Sequence, residues 1–168
     1  GATCASAPVV VATIPNGTVV PARGSYLLVG SAYSLGTYAI ADQTLTSDIQ
    51  NDANVGLFNS ATTFTAATRL DAVGFGSNTG INCDTLREGT NLAAASGSTS
   101  QYSFVRKVGV GGVPQDTNNN SADFAIVSNT PTVAVGSNAT PVLGAPGPEN
   151  TLSPLQRASL FAVGLIEP

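Results

Sequence analysis

The stretch QDTNNNSADFAIVS, residues 115–128, joins a polar loop directly to a β-competent run of the chain. Its first half is rich in Asn and Asp, whose short side chains hydrogen-bond nearby backbone groups and form Asx turns. Its second half, Asp123 to Ser128, predicts a strand, because aromatic and β-branched residues pack well on a pleated sheet. We therefore predict a tight polar loop that leads into one of the central strands of the fold.

Comparable runs occur before this stretch, separated by turn residues such as those at 15–17 (Pro-Asn-Gly). Many short strands divided by turn signals indicate a β-sandwich or barrel, so the predicted fold class is all-β. One short helical turn is expected at Ser47–Asn51, and no stretch has the pattern of a long amphipathic helix. The predicted strands are Ala7–Ile14, Ser25–Gly30, Ala53–Asn59, Arg69–Phe75, Gln101–Val108 and Asp123–Ser128.

The pattern changes after Ser128. Residues 129–150 are rich in Pro, Gly and Asn and carry few apolar anchors, which is typical of an extended linker or surface wrap. The stretch from Ala158 to Ile166 (ASLFAVGLI) is apolar again. We therefore divide the chain into a β-sandwich at residues 1–128 and, at residues 129–168, a Pro/Gly-rich linker with an apolar C-terminal segment.

Several stretches, taken in order, resemble the bacterial lamin-tail domain family. Ala12 to Leu28 (ATIPNGTVVPARGSYLL) is similar to the family's "IP-x-GT-x-LAPG-x-YLL" segment. Residues 115–124 are close to its "DTDNNAADF" loop, and Arg69 to Gly74 is close to its "hVDxVG" strand. Further similar pieces are residues 42–44, 51–57, 87–90 (REGT, against "KEGT"), 103–107 (SFVRK, against "SYERK"), and a tail at 143–150 and 153–157.

This resemblance covers residues 7–128 plus the tail, and it implies an immunoglobulin-like β-sandwich of the lamin-tail type. Bacterial members of the family look extracellular, but a shared fold does not by itself establish a function. The family usually opens with two more strands around a "FIELYN"-like motif, which this sequence does not contain. The resemblance therefore implies a sandwich short of its first strands, which were lost or are replaced by another segment.

Composition narrows the classes of function. Hydrophobic residues make up 42% of the 168 residues and charged residues only 10%, where about 25% is usual. Uncharged, hydrogen-bonding surfaces of this kind are typical of extracellular or cell-surface β-proteins. The net charge is −4 with only six Lys and Arg residues, so no basic patch for nucleic acid is expected. No apolar stretch approaches the roughly 20 residues of a membrane span.

The residue inventory argues against catalysis, and we predict a protein that is not an enzyme and has no cofactor. The chain contains no His, the most common general acid–base and a member of the Ser-His-Asp triad. Lys107 is its only lysine, and no recognised catalytic motif surrounds it. Trp, which often lines sugar subsites, is also absent from the sequence.

Asp116, Asn118, Asn120 and Asp123 place side-chain oxygens at nearly the spacing of the first ligands of a Ca²⁺ loop. Only two of the four are carboxylates, and the bidentate Glu that usually closes such a loop is missing. A structural network of Asx turns is therefore the main interpretation of this loop. A calcium site is the alternative.

Cys4 and Cys83 are the only cysteines, and the exported type of composition favours a disulfide between them. In the chain-entropy model, closing a loop of this length contributes about 4 kcal/mol to the free energy of unfolding. The bond would also hold the N-terminus, which otherwise frays. Two free, buried thiols are the alternative.

Three further sets of residues are candidates for contacts at the surface. Alternation along a strand puts Arg106 and Lys107 on opposite faces, so one of them is expected to pair with Asp116 or Asp123. Four tyrosines are expected in the core or at its rim, with sugar stacking as the alternative: Tyr26, Tyr33, Tyr38 and Tyr102. Glycosylation sequons begin at Asn16, Asn119 and Asn138.

Two functions of different classes follow from these patterns. The first is a non-enzymatic extracellular structural module that associates with itself, as a subunit of a filament or surface layer assembled by strand complementation. The alternative is a carbohydrate- or Ca²⁺-binding accessory module of a larger secreted protein. In the first, the partner is another copy or a missing complementary segment, and the assembly strand comprises Ser159, Leu160, Phe161, Val163, Leu165 and Ile166.

Overall fold

The computed structural model describes residues 7–50, 53–76, 80–93, 102–130, 141–144 and 147–154 of the chain. Strands account for most of the regular structure in these ranges, so the prediction of a β-rich fold is confirmed. The strands are β1 (Leu28–Val29), β2 (Gln43–Thr44), β3 (Val55–Phe58), β4 (Arg69–Val73), β5 (Tyr102–Arg106), β6 (Phe124–Ser128) and β7 (Val142–Leu143). The helices are α1 (Ile81–Thr85), α2 (Asn120–Asp123) and a 3₁₀ turn at Val110–Gly112.

The described strands form three small sheets. β1 and β2 pair in parallel, and β3 and β4 pair antiparallel. The third sheet has the order β5-β6-β7, with β5 antiparallel and β7 parallel to the central strand. Among the described strands, β6 alone has a strand on both sides, so the structure is rich in sheet edges.

The apolar core is small and centres on β6. Ile126 is 5% exposed, lies opposite Phe104 of β5, and packs against Tyr102 and Ala93. The ring of Phe104 meets the rings of Phe75 and Tyr102 edge to face, with centroids 5.1 Å and 5.9 Å apart. Edge-to-face aromatic pairs are favourable beyond the area that they bury. The cluster therefore joins the third sheet to the residues that follow β4.

The prediction of a first strand at Ala7–Ile14 is wrong for this structure, which assigns no strand there. The segment does run beside β2, because the Val11 carbonyl accepts from the backbone N–H of Thr46 at 2.8 Å. The Thr13 carbonyl accepts from the side-chain amide of Gln43 at 3.2 Å. A strand needs repeated backbone pairing along its partner, and one backbone bond with one side-chain bond does not supply it.

The remaining predicted strands are present but shorter. Ser25–Gly30 is reduced to β1, because the carboxylate of Asp42, rather than a neighbouring strand, accepts from the N–H of Leu27 at 2.7 Å. Gln101, at the start of the predicted fifth strand, lies outside the described residues.

The helices differ from the prediction. No helical turn forms at residues 47–50, where the carboxylate of Asp48 instead accepts from the N–H of Ser31 at 2.7 Å; Asn51 lies outside the described residues. α1 and α2 were not predicted, because elements of five and four residues are too short to show helical periodicity. In the ranges described, no helix has the length and apolar character needed to cross a bilayer.

The described parts of residues 129–150 contact other segments of the described chain. Val142 and Leu143 form β7 and pair with the end of β6. Asn150 is buried, and its side-chain nitrogen donates to the Ile40 carbonyl at 2.8 Å. These contacts place described residues beyond 128 on the body of the fold, which a sequence rich in Pro and Gly does not reveal.

Candidate functional site: a buried polar cluster

The most deeply buried side chains of the described residues are mostly polar. Asn120 and Asp123 are fully buried, and Glu88 is nearly so. Burying a polar group costs free energy unless it is hydrogen-bonded, so side-chain geometry is most constrained here. We call the following residues the polar cluster: Arg69, Asp71, Glu88, Arg106, Asn120 and Asp123.

Asn120 binds the backbone of two separate segments at once. Its side-chain oxygen accepts from the N–H of Gly74 at 2.8 Å and from the N–H of Glu88 at 3.1 Å. Its side-chain nitrogen donates to the carbonyl of Ala72 at 2.7 Å. The amide therefore pairs with the edge of β4 as the peptide group of a neighbouring strand would. The Asn120 backbone N–H also donates to the Glu88 carbonyl at 2.9 Å.

The turn at residues 87–90 requires glycine where it meets the loop before α2. Gly89 has φ +55°, a conformation that L side chains rarely adopt. A Cβ at this position would lie 2.7 Å from the carbonyl oxygen of Asn118, so a larger residue also lacks space. On the far side of the turn, the Thr90 carbonyl accepts from the N–H of Ser121 at 2.9 Å. The REGT stretch thus binds the first residues of α2 through backbone hydrogen bonds.

Arg69 connects β4 to the end of α1 and to the turn at 87–90. Its Nη1 donates to the carbonyls of Asp84 and Thr85, both at 3.3 Å, and to that of Arg87 at 2.9 Å. The last carbonyls of a helix have no partner within the helix, so this guanidinium caps α1. Its Nε lies 3.6 Å from Oε1 of Glu88.

Glu88 is the least satisfied member of the polar cluster, because its Oε2 has no hydrogen-bond partner. Burial raises the pKa of this carboxyl, and the charges of Asp71 and Asp116 raise it further, while Arg69 and Arg106 oppose the change. A raised pKa means that the folded state favours the protonated acid. The resulting stabilisation is complete below the unfolded pKa and is lost as the pH rises through the folded value.

Arg106 of β5 connects the third sheet to β4. Its Nη2 binds both carboxylate oxygens of Asp71, at 2.7 Å and 2.5 Å, and its Nη1 donates to the carbonyl of Gln115 at 3.0 Å. The guanidinium also lies over the ring of Phe124, 4.5 Å from the centroid, in a cation–π contact. One side chain thus joins β4, β5, β6 and the loop that begins at residue 115.

The two acids predicted to pair with Arg106 lie farther from its guanidinium than Asp71 does. Asp116 and Asp123 lie 3.9 Å and 4.0 Å from its Nη1, farther than the carboxylate of Asp71. Lys107 donates to the Ala122 carbonyl at 2.7 Å. The sequence showed the acids of the adjacent loop but not the acid that the tertiary structure brings from β4.

Asp123 organises the loop that precedes it. Its carboxylate accepts from the N–H and hydroxyl of Thr117 at 2.8 Å and 2.7 Å, from the amide of Gln115 at 3.1 Å and from the N–H of Asn119 at 3.2 Å. Burial alone would raise the pKa of Asp123, but these donors outweigh it and lower the pKa to about 2. The charged form is therefore the form that the fold stabilises.

Replacing Asp123 by Asn is expected to lower the free energy of unfolding by about 2 kcal/mol at neutral pH and by much less at pH 2. The folded pKa of about 2 lies below the ordinary value of 3.8, so the stabilisation is present above pH 3.8. It is lost as the pH falls from 3.8 through about 2. Urea unfolding of both proteins across this range measures the difference.

Asp116→Asn is the matched control, because Asp116 lies in the same loop but its side chain is 56% exposed. It should follow the wild-type pH dependence closely. A difference between Asp123→Asn and wild type that stays constant with pH would contradict the assigned role of the charge.

Side-chain oxygens of three predicted calcium ligands, Asp116, Asn120 and Asp123, accept hydrogen bonds from protein donors in this structure. Asp116 accepts from the N–H of Asn118 at 3.2 Å, as an Asx turn does, and Asn118 has φ +55°. The carboxamide of Asn120 and the carboxylate of Asp123 have no hydrogen-bonding partner in common. In the described part of the chain, no group of three or more His, Cys, Asp or Glu is arranged to hold a metal. The contacts support the structural interpretation of the loop.

Two predicted sites fall wholly or partly outside the described residues. Cys83 lies in α1, is fully buried and is not a free thiol, but Cys4 is not described, so the Cys4–Cys83 disulfide stays a prediction. The assembly strand is also outside the described ranges and stays a prediction: Ser159, Leu160, Phe161, Val163, Leu165 and Ile166.

The tyrosines occupy different environments. Tyr102 belongs to the aromatic cluster of the core. The hydroxyls of Tyr26 and Tyr33 donate to the side chain of Gln43 and the carbonyl of Ala39, at 3.2 Å and 2.8 Å. Tyr38 is 80% exposed, so the prediction of a core or rim position is wrong for this residue.

The three sequons are also placed differently. Asn16 is exposed in a turn, which leaves its side chain accessible. Asn119 caps α2 by accepting from the N–H of Ala122 at 3.3 Å, so its side chain is already used. Asn138 lies outside the described residues.

The polar cluster connects segments that are distant in sequence. Its charged side chains pair with one another, and its side chains bond backbone groups of β4, the turn at 87–90 and the loop at 115–123. Sequence reasoning missed the roles of Arg69, Glu88 and Asn120. The REGT stretch at residues 87–90 could have indicated part of the cluster, because glycine after an acid predicts a turn whose acidic side chain needs a partner.

Comparison of the chain with protein-family models, with curated proteins and with solved structures finds no match.

Proposed function

We propose that this protein is a non-enzymatic, self-associating structural module of the extracellular or cell-surface type, assembled by strand addition. Its sheets belong to an immunoglobulin-like sandwich of the lamin-tail type, with β3–β4 in one layer and β5–β6–β7 in the other. Two contacts support this layering: the pairing of Arg106 with Asp71 joins the two sheets, and Phe104 packs against Phe75, two residues beyond β4.

The observation that carries the proposal is the distribution of apolar side chains. In the described residues, seven hydrophobic residues are buried, whereas eighteen large ones are exposed. Single exposed apolar residues are normal, but an excess of them marks surfaces that contact another chain. The most exposed include Val9, Val19, Tyr38, Ile40 and Leu152. We infer that part of this surface is covered when the protein is assembled.

The open sheet edges support the same proposal. Among the described strands, all but β6 lack a second neighbouring strand. Unpaired edges are templates for another strand, and natural proteins usually protect them. Strand addition satisfies the backbone groups along the edge and covers apolar side chains at alternate positions. The apolar segment at 159–166 is the strand that this chain offers.

Deleting residues 158–168 is expected to convert an associating protein into a monomer, because the deletion removes the donated strand. Light scattering coupled to size-exclusion chromatography measures the mass of each form over a range of concentrations. A full-length variant with Ser at Leu160, Phe161, Val163 and Ile166 should also be monomeric, since it keeps the length but not the apolar face.

Val110→Ser is the control, because Val110 is fully exposed and lies outside the segment. It should assemble as the wild type does. The proposal is wrong if the truncated protein still assembles, or if the intact protein is strictly monomeric at high concentration.

A further inference from the structure

Residues 147–154 are clamped to the body of the fold beside β2. The carboxylate of Asp42 accepts from the hydroxyl and the N–H of Thr151, at 2.5 Å and 3.0 Å. Asn150 donates to the Ile40 carbonyl, and Glu149 accepts from the hydroxyl of Ser25 at 2.9 Å. The N–H of Leu27 and the hydroxyl of Thr151 lower the pKa of Asp42, so the clamp is charged at neutral pH. The clamp fixes where the chain beyond Pro154 departs.

The incomplete strand at residues 7–14 lies against the same element. Gln43 of β2 follows Asp42 directly, and its side chain binds the Thr13 carbonyl, while Thr46 binds the Val11 carbonyl. Val11 and Thr13 therefore face β2. In an extended segment, alternate residues point their N–H and C=O groups to opposite edges, so Val10, Ala12 and Ile14 face outward.

This outer edge is apolar and has no backbone hydrogen-bonding partner within the described ranges. Val9, Val10 and Ile14 are exposed, and no backbone hydrogen bond joins residues 7–10, 12 or 14 to another described residue. The segment has the composition of a strand but is paired on one side only. One more strand along the outer edge would extend the β1–β2 sheet beyond residues 7–14.

The donor segment follows the clamp closely along the chain. Four residues, Leu155 to Ala158, separate Pro154 from Ser159. At about 3.6 Å per residue, Ser159 lies within roughly 18 Å of Pro154, and adjacent strands are about 5 Å apart. A short hinge favours exchange of an element between copies over its return to the same copy.

We propose that two copies exchange their C-terminal segments reciprocally, so that Ser159–Ile166 of each copy pairs with the outer edge of residues 7–14 of the other. The inference rests on the proposed function and specifies its acceptor and its symmetry. Because each copy both donates and accepts, one two-fold contact uses both copies' donors and both acceptors. Such an isologous contact closes as a dimer, whereas a donor and acceptor on different faces would generate an open filament.

The test uses full-length protein and a proline block on the acceptor edge. Ala12→Pro removes an outward N–H and leaves the bonds of Val11 and Thr13 to β2 in place. It should weaken dimerisation at least tenfold, as measured by sedimentation equilibrium. Val19→Pro, in an exposed loop outside the segment, is the matched control and should dimerise like wild type. Far-ultraviolet circular dichroism verifies that both variants are folded.

A crosslinking experiment identifies the copy that donates. Phe161→p-benzoylphenylalanine in ¹⁵N-labelled protein, mixed with an excess of unlabelled wild type, should crosslink to unlabelled peptides that contain residues 7–14. Crosslinks confined to labelled peptides would show return to the same copy and overturn the exchange. Tail-dependent filaments instead of dimers would overturn the closed symmetry but leave the proposed function standing. Assembly that survives deletion of residues 158–168 would overturn both.

Discussion

Replacing Asn120 by alanine is expected to lower the free energy of unfolding by about 3–5 kcal/mol. The carboxamide is fully buried and binds the N–H groups of Gly74 and Glu88 and the carbonyl of Ala72. Each buried backbone group left without a partner costs about 1–3 kcal/mol, and water entering the vacated space reduces the total. Urea unfolding followed by circular dichroism measures the loss.

Two further variants make this prediction specific to the amide. Asn129→Ala changes an exposed asparagine just beyond β6 and should shift the free energy of unfolding by less than about 0.5 kcal/mol. Asn120→Asp keeps the size of the side chain but removes the donor to Ala72 and adds a buried negative charge near Glu88. It should therefore be at least as destabilising as the alanine variant. An unchanged urea midpoint for Asn120→Ala would show that the amide does not stabilise the contact between β4 and the turn at 87–90.

Replacing Arg106 by methionine is expected to lower the free energy of unfolding by about 2–4 kcal/mol. The substitution leaves Asp71 without its cation and the Gln115 carbonyl without its donor, and it removes the cation–π contact with Phe124. Breaking a fully buried ion pair costs about 3–5 kcal/mol. The value expected here is lower, because the Asp71 side chain is 39% exposed and water can solvate it.

The companion variants separate charge from geometry. Arg106→Lys keeps the charge but has one nitrogen in place of the two that bind Asp71 and the Gln115 carbonyl, so its effect should be intermediate. The double variant Arg106→Met/Asp71→Asn should be more stable than Arg106→Met alone, because no unpaired carboxylate remains. Lys107→Met changes the neighbouring cation and should have a small effect. If the double variant is no more stable than the single one, the ion pair is not what Arg106 contributes.

The locally encoded features of this protein were predictable from its sequence. β3, β4 and β6 lie within predicted strands, because apolar and β-branched runs bounded by turn residues favour extended backbone wherever they occur. The Asn- and Asp-rich loop before β6 was also predictable, since Asx turns form between residues that are close in the chain. The hydrogen bonds of Asp123 to Thr117 and Asn119 span only a few residues.

Tertiary structure alone decided the features that depend on a distant partner. Ala7–Ile14 has the composition of a strand but is not one, because a ladder needs repeated backbone bonds and a single one, from Thr46 to Val11, joins it to another described segment. Arg106 pairs with Asp71 of β4, 35 residues away, and Asn120 binds groups 46 and 48 residues away. Propensity acts within a few residues, whereas hydrogen bonds and ion pairs depend on distance in space. A sequence therefore determines which segments are competent to pair, and packing of the whole chain determines which partners they obtain.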